Sequence, residues 1–313
     1  MGKTAFLFPG QGAQYVGMGR SLAESYPVAR AAFAEADDAL DFPLSHLCFE
    51  GPEESLVLTE NQQPALLATS VACLRVLQQE GITCDAAAGL SLGEYTALVA
   101  AGALAYADAV RLVRRRGRYM QEAVPAGQGA MAALLGLSRE VVEDICRRAQ
   151  AVAWVQPANY NCPGQIVVAG EAAGVDRVLE LAREAGSRRA VRLPVSAPFH
   201  SRLMAPAGER LAPDLAAVKV SDPAFPVVAN VSAEPVATAA AIRQALVAQV
   251  SSPVLFEDSV RYLLAAGVDR FVEVGPGKAL SGFVRKVSRE VRTDNVEDVA
   301  TLGSLLETPG RVC

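Results

Sequence analysis

The stretch from Ala86 to Val99, AAAGLSLGEYTALV, constrains the fold more than any other part of the chain. Small apolar residues run into Gly89-Leu90-Ser91-Leu92-Gly93, and an apolar-periodic segment rich in helix formers follows at once. That order predicts a strand over 85–90, a tight turn and a helix. In such a turn the serine takes a strained conformation that pushes its hydroxyl out of the sheet, and the flanking glycines give the room this needs. The helix N-terminus then points at whatever Ser91 attacks. Its free N–H groups and positive dipole end suit a developing oxyanion, and the N–H of Leu92 is the first donor. A G-x-S-x-G motif alone arises by chance in about one such chain in ten, and the competing account is a glycine-rich turn with an idle serine. The flanking strand and helix lie where a nucleophile needs them, which favours the catalytic account.

The 313 residues, 51% hydrophobic and 20% charged, are enough to bury a large core in one big domain or two modest ones. A net charge of −5 supplies no global basic field, so neither nucleic acid nor anionic membrane is expected as a partner. The six cysteines, Cys48, Cys73, Cys84, Cys146, Cys162 and Cys313, form no C-x-x-C pair, and with two histidines they make no metal site of usual spacing. They read as free thiols in a reducing compartment. The N-terminal apolar run is four residues, ended by Pro9, far short of a signal-peptide core. The uncharged stretch Tyr95–Ala107 is shorter than the ~20 residues a membrane span needs. A cytoplasmic protein is expected.

Thr4–Phe8 reads as a buried strand followed by Pro9-Gly10-Gln11-Gly12-Ala13-Gln14, a loop able to aim N–H groups at an anion. A dinucleotide fingerprint fails there, because the third glycine position is Tyr15. Residues 21–40 and 62–80 read as amphipathic helices, with Gly81 stopping the second. In the helix expected over 107–123, Arg116 falls among Ala109, Leu112, Val113, Met120 and Ala123, in the middle of the apolar stripe. Arg111, Arg114, Arg115 and Arg118 fall on the opposite face. A guanidinium on a buried face is costly without an anion. Periodicity leaves two accounts level: an internal ion pair, or a fork for a substrate carboxylate.

From Gly129 to Leu193 the pattern changes to β-α-β-β-α-β. Strands are expected at 130–137, 152–156, 165–169 and 189–193, with helices at 138–149 and 172–186. This is a ferredoxin-like unit read as an insert, 127–196, in a core formed by 1–126 and 197–313. The chain returns through Ser196-Ala197-Pro198-Phe199-His200-Ser201, which holds one of only two histidines. Alone, His200 would be a satisfied core residue. Beside a serine elbow it is the better placed base, His46 being a structural or surface residue. A strand at 225–230, helices at 239–249 and 254–266, and a strand at 270–274 running into Gly275-Pro276-Gly277-Lys278 and a last helix complete the expectation.

At this point the chain resembles the malonyl-CoA:acyl carrier protein transacylase family. The likeness runs through FPGQGAQ at 8–14, GLSLGEYTALVAAG at 89–102, RRGRYMQEAVP at 115–125, ANYNCPGQIVVAG at 158–170, APFHS at 197–201, QVSSPVLFEDSV at 249–260 and EVGPGKALSG at 273–282. Seven blocks in the family's order are far more specific than any one. The resemblance implies an α/β-hydrolase-like core with the ferredoxin-like subdomain inserted. It implies Ser91 as nucleophile, His200 as base and the backbone carbonyl of Gln249 as the group orienting it. Gln11 and Leu92 supply the oxyanion hole, Arg116 grips the malonyl carboxylate, and Phe199 stands where malonyl-selective members carry Phe. Malonyl-CoA is then a substrate, no cofactor is needed, an acyl carrier protein is the partner, and a monomer is expected. One position departs: the family commonly has His where this chain has Leu90.

Two rivals remain at this stage. A serine esterase would share the elbow but should carry an acid partner for its histidine, and it has no use for a buried Arg116. A non-catalytic carrier-binding module would have no use for Ser91, His200, Gln11 and Arg116 together. Because carrier proteins are acidic and this chain is acidic overall, docking calls for a local basic patch. Arg188, Arg189 and Arg192, with Arg285 and Lys286, are its candidates.

Overall fold

A computed structural model describes residues 2–125, 127–195 and 197–307. The boundary residues Ala126 and Ser196, and the Cys313 thiol, lie outside the described residues. Among the described residues ten strands form two sheets. They are β1 (Lys3–Phe8), β2 (Ala86–Gly89), β3 (Gly129–Leu135), β4 (Val155–Cys162) and β5 (Gln165–Glu171), then β6 (Arg189–Arg192), β7 (Val227–Val228), β8 (Pro235–Val236), β9 (Val268–Val274) and β10 (Arg292–Val296).

The first sheet runs β10-β9-β1-β2-β7-β8, parallel except for the β7–β8 pair. β1 and β2 lie at its centre with almost every residue buried, as expected of strands covered on both faces. In such a sheet the loops at the carboxyl ends of neighbouring strands face a common crevice. The Pro9–Gln14 loop after β1 and the Ser91 turn after β2 both open there. The helix Thr59–Gln79 packs behind them, buried over most of its length. It ends where Gly81 takes a φ of 74° and the N–H groups of Gly81 and Ile82 turn back to Gln78 and Leu77.

The second sheet runs β4-β5-β3-β6, wholly antiparallel. That order is what a β-α-β-β-α-β path gives in a ferredoxin-like unit. Helices Arg139–Ala149 and Ala172–Glu184 cover it, sharing an apolar cluster that includes Leu134, Val142, Ile145, Val155, Val168 and Val178. Ser138 caps the first helix by accepting the N–H of Val141. β4 also joins the two sheets' regions: Tyr160 N–H donates to the Val254 carbonyl and Val254 N–H to that of Ala158. An Arg139–Asp258 ion pair at 2.5 Å crosses the same boundary.

Several elements depart from expectation for identifiable reasons. The helix expected over 21–40 is two, Arg20–Ser25 and Pro27–Leu40, because Pro27 has no N–H to continue the first and holds Tyr26 in extended conformation. The strand expected at 225–230 shrinks to Val227–Val228, since the N–H of Asn230 goes to the Glu94 carboxylate instead of a ladder. The helix after Lys278, Ala279–Val287, is not the last: β10 and helix Val299–Glu307 follow. Helix Ala205–Ala217 was hidden by Pro206 and Pro213, and Pro213 lies inside it. Among the described residues no helix is long and apolar enough to cross a membrane.

Candidate active site

Ser91 stands at the N-cap of helix Leu92–Ala100 with φ 53° and ψ −100°, a conformation L-residues rarely adopt. The turn is held by its surroundings. A Cβ on Gly89 would come within 1.9 Å of the Gly93 carbonyl carbon, and one on Gly93 within 2.0 Å of the Phe8 carbonyl oxygen. Only glycine lets strand, helix and β1 approach so closely. Asn230 completes the brace: its Oδ1 accepts the Ser91 N–H and its Nδ2 donates to the Gly89 carbonyl, both at 2.7 Å.

His200, also at positive φ (58°), brings Nε2 to 2.7 Å from Ser91 Oγ. Its Nδ1 lies 2.9 Å from the Gln249 carbonyl oxygen. A carbonyl can only accept, so Nδ1 carries the proton and Nε2 presents its free lone pair to the serine hydroxyl. Burial, and after it the nearby Arg116 charge, pushes the imidazole pKa down to about 4, so the ring is neutral and ready as a base. The group orienting it is a backbone carbonyl, not the carboxylate an ordinary esterase triad would show.

Arg116 lies on helix Tyr106–Glu122 with no exposed surface. Its Nη1 donates to Gln63 Oε1 at 2.8 Å, and its Nη2 to Gln249 Oε1 at 2.8 Å and Ser91 Oγ at 3.0 Å. Neighbouring Arg115 pairs with Asp214, but no described carboxylate forms an ion pair with Arg116. The internal ion pair that periodicity left open is absent. The guanidinium is held by neutral oxygens beside the nucleophile, and its Nε has no partner among the described residues. A buried cation held only by neutral groups would be stabilised by an anion placed beside it.

The remaining residues sit around this centre. Leu92 begins the elbow helix, and neither its N–H nor that of Gln11 has an acceptor among the described residues. The Gln11 side chain donates to Gln62 Oε1 at 2.5 Å. Phe199, one residue before His200, is buried in the main core. Leu90 turns its side chain toward Gly10, whose added Cβ would lie 3.1 Å from Leu90 Cδ2. The family's usual histidine is thus replaced by an apolar contact on the loop that carries Gln11.

Three functional neighbours escaped the sequence reading: Gln63, Glu94 and Asn230. Each is a buried polar residue in an apolar setting, the same signal that singled out Arg116. Glu94, three residues beyond Ser91 on a helix with six buried neighbours, was the most visible of them.

Comparison with known proteins follows this geometry. The family model described as "Acyl transferase domain" matches residues 5–308. The malonyl CoA-acyl carrier protein transacylase of Bacillus subtilis is 52% identical over 309 residues, 98% of each chain. The crystal structure of an acyl-carrier-protein S-malonyltransferase from Burkholderia pseudomallei superposes with TM-score 0.96 at 45% identity, covering 98% of this chain and 100% of that one. A solved complex of a type II PKS acyl-carrier protein with its malonyl-transacylase matches with TM-score 0.95 at 43% identity, over 97% and 99% of the two chains. The chain belongs to the acyl transferase domain family, with the malonyl CoA-acyl carrier protein transacylases.

Proposed function

We propose that this chain moves a malonyl group from malonyl-CoA to the phosphopantetheine thiol of an acyl carrier protein, through an ester on Ser91, for fatty acid or polyketide synthesis. The observation that carries the reading is Arg116: a wholly buried guanidinium without an ion-pair partner, 3.0 Å from a serine that is itself 2.7 Å from a neutral histidine. A neutral acyl group has no use for that charge, whereas a malonyl carboxylate fits it.

His200 Nε2 takes the Ser91 proton as Oγ attacks the thioester carbon. The N–H groups of Gln11 and Leu92 hold the oxyanion of the tetrahedral intermediate. The intermediate collapses, the C–S bond breaks, and His200 returns the proton to the departing CoA sulfur. The carrier's thiol then attacks the malonyl ester with His200 as its base, and Ser91 leaves with the proton. The malonyl carboxylate does more than anchor the substrate. It neutralises the Arg116 charge, which after burial is the second influence holding His200 down, so the base strengthens when the right acyl group is in place.

Every step falls to a side chain or a backbone donor, so the reading calls for no cofactor. It also takes residues 127–196 as an inserted subdomain, supported by the apolar cluster that the second sheet keeps for itself. It takes the working form as a monomer, because the exposed large apolar side chains among the described residues are few, Tyr15–Val16 and Val57–Leu58 being the adjacent pairs. A cytoplasmic site agrees with cysteines that are free and mostly buried.

Ser91→Ala tests the intermediate. Intact-protein mass spectrometry after mixing with malonyl-CoA is expected to show a malonyl adduct on the wild type and none on the variant. An equal adduct on both would remove Ser91 from the mechanism.

A further inference from the structure

Gln249 enters the site twice. Its carbonyl orients His200, while its buried side-chain amide lies between Arg116 and Glu94. The amide oxygen accepts from Arg116 Nη2 at 2.8 Å. The amide nitrogen donates to Glu94 Oε2 at 2.8 Å and to the Ser91 carbonyl at 2.9 Å. The two ends of an amide are nearly the same shape, so its neighbours decide which way it faces. Turned over, it would set donor against donor at Arg116 and acceptor against acceptor at Glu94 and Ser91. Glu94 is itself fixed, 1% exposed, with Oε2 also accepting the Asn230 N–H at 2.9 Å.

We propose that Glu94 is a positioning residue for acyl selectivity: by holding the Gln249 amide it aims the Arg116 guanidinium at the acyl pocket, and so favours acyl groups that end in a carboxylate. The inference rests on Arg116 being the fork for that carboxylate. An arriving carboxylate takes over the donor now spent on Ser91 Oγ, and the oxygens of Gln63 and Gln249 remain as the mount of the fork. Without the Gln249 oxygen the guanidinium keeps the Gln63 bond and the Tyr95 ring face but loses the second acceptor that fixes its direction, on which bidentate recognition depends. The reacting pair meets this amide only at the Ser91 carbonyl, and meets Glu94 only through the Asn230 N–H. Asn230 braces the Ser91 turn, and His200 is oriented by the Gln249 backbone. Transfer of a neutral acyl group, which does not use the fork, therefore falls less than transfer of a carboxylate-bearing one. Both bonds to Glu94 fall on Oε2, so an uncharged acceptor of the same shape, as in Glu94→Gln, keeps the mount.

The test is a double-mutant cycle read with two substrates. Initial rates of enzyme acylation by malonyl-CoA and acetyl-CoA are measured for wild type, Glu94→Met, Gln249→Met, the double variant and Glu94→Gln. Each methionine variant is expected to lose about 30-fold or more in kcat/KM for malonyl-CoA, with a loss about tenfold smaller for acetyl-CoA, which feels only the loosened bonds at the Ser91 carbonyl and the Asn230 N–H. The double variant is expected to be no worse than either single one, because the two residues act in series. Glu94→Gln is expected to remain within about threefold of wild type for both substrates. Equal losses for malonyl and acetyl, losses that multiply in the double variant, or a Glu94→Gln as poor as Glu94→Met would each overturn the proposal. Should Glu94→Met not fold, Glu94→Asp, which withdraws the carboxylate by one methylene, takes its place with the same expectations. Wild-type protein that forms no malonyl ester would overturn the function itself, and this role with it. Wild-type protein that forms the ester, with a cycle that is additive, would overturn only the role of Glu94.

Discussion

Ser91, His200, Arg116, Gln249 and Glu94 form one connected set of hydrogen bonds, and burial, more than pairing, governs the charge states of its ionisable members. Burial pushes the Glu94 carboxyl up to about 7, against the pull of the Asn230 N–H, the Gln249 amide and Arg116. His200 moves the opposite way, down to about 4. At His200 the folded state binds fewer protons than the unfolded chain between about pH 4 and 6.5, so that contribution to stability grows as pH rises through this window. At Glu94 the folded state binds more protons between about pH 4.5 and 7, so that contribution is present below 4.5 and is lost as pH rises through 7. Glu94→Gln removes only the second. Melting temperatures of wild type and variant across pH 4 to 8 are expected to show the difference, variant minus wild type, climbing from about 4.5 to about 7 and then levelling. A difference that stays constant would mean that Glu94 does not titrate there.

Among the elements, the strand-turn-helix around Ser91 was the most legible, because small residues, paired glycines and helix formers all point to one geometry. The arginine-bearing helix was equally plain: periodicity put Arg116 inside, and it is fully buried in a helix bounded one residue from expectation. Strand 225–230 was over-read, because apolar residues before Asn230 look like a ladder while Asn230 itself is diverted to brace the elbow. β10 was invisible, since Arg292-Thr-Asp-Asn-Val carries no apolar alternation and borrows its order from β9. The expected basic patch gains coherence in the folded protein. Register sets Gln165, Leu135 and Arg189 side by side across β5, β3 and β6, and Lys286 Nζ donates to Gln165. Lys286 and the Arg188–Arg189 pair thus share one end of the second sheet. Arg192 is instead paired with Asp176. Reversing the charge of Arg188 and Arg189 is expected to slow transfer to the carrier several-fold while leaving acylation by malonyl-CoA unchanged. Stopped-flow rates of the two half-reactions check this, and equal slowing of both would place docking elsewhere.

At the scale of the whole molecule, the insert and the site belong to each other. The chain leaves the core soon after Arg116 and returns just before His200, and Gly129, where β3 begins, lies so close to Pro198 that a Cβ would meet its ring at 2.3 Å. Both ends of the insert therefore emerge at the catalytic crevice, and the β4 contacts with Val254 fix the second sheet against the core on the side of Gln249. Fold class, and the strand-turn-helix and the return segment that bring Ser91 and His200 together, could be read in the sequence because each has a local pattern. The bracing by Asn230 and Gln63 could not, because it joins residues far apart in the chain. The central claim, that a buried guanidinium selects a malonyl group for transfer, is tested most directly by Arg116→Ala assayed with malonyl-CoA and acetyl-CoA beside a thermal melt. Loss of a desolvated charge pair costs roughly 2–5 kcal/mol, or about 30-fold to several thousand-fold in kcat/KM for malonyl-CoA. Acetyl-CoA turnover is expected to hold or rise, since His200 is relieved of a neighbouring positive charge. An equal fall for both substrates together with a lowered melting temperature would contradict it and make Arg116 a support of the fold.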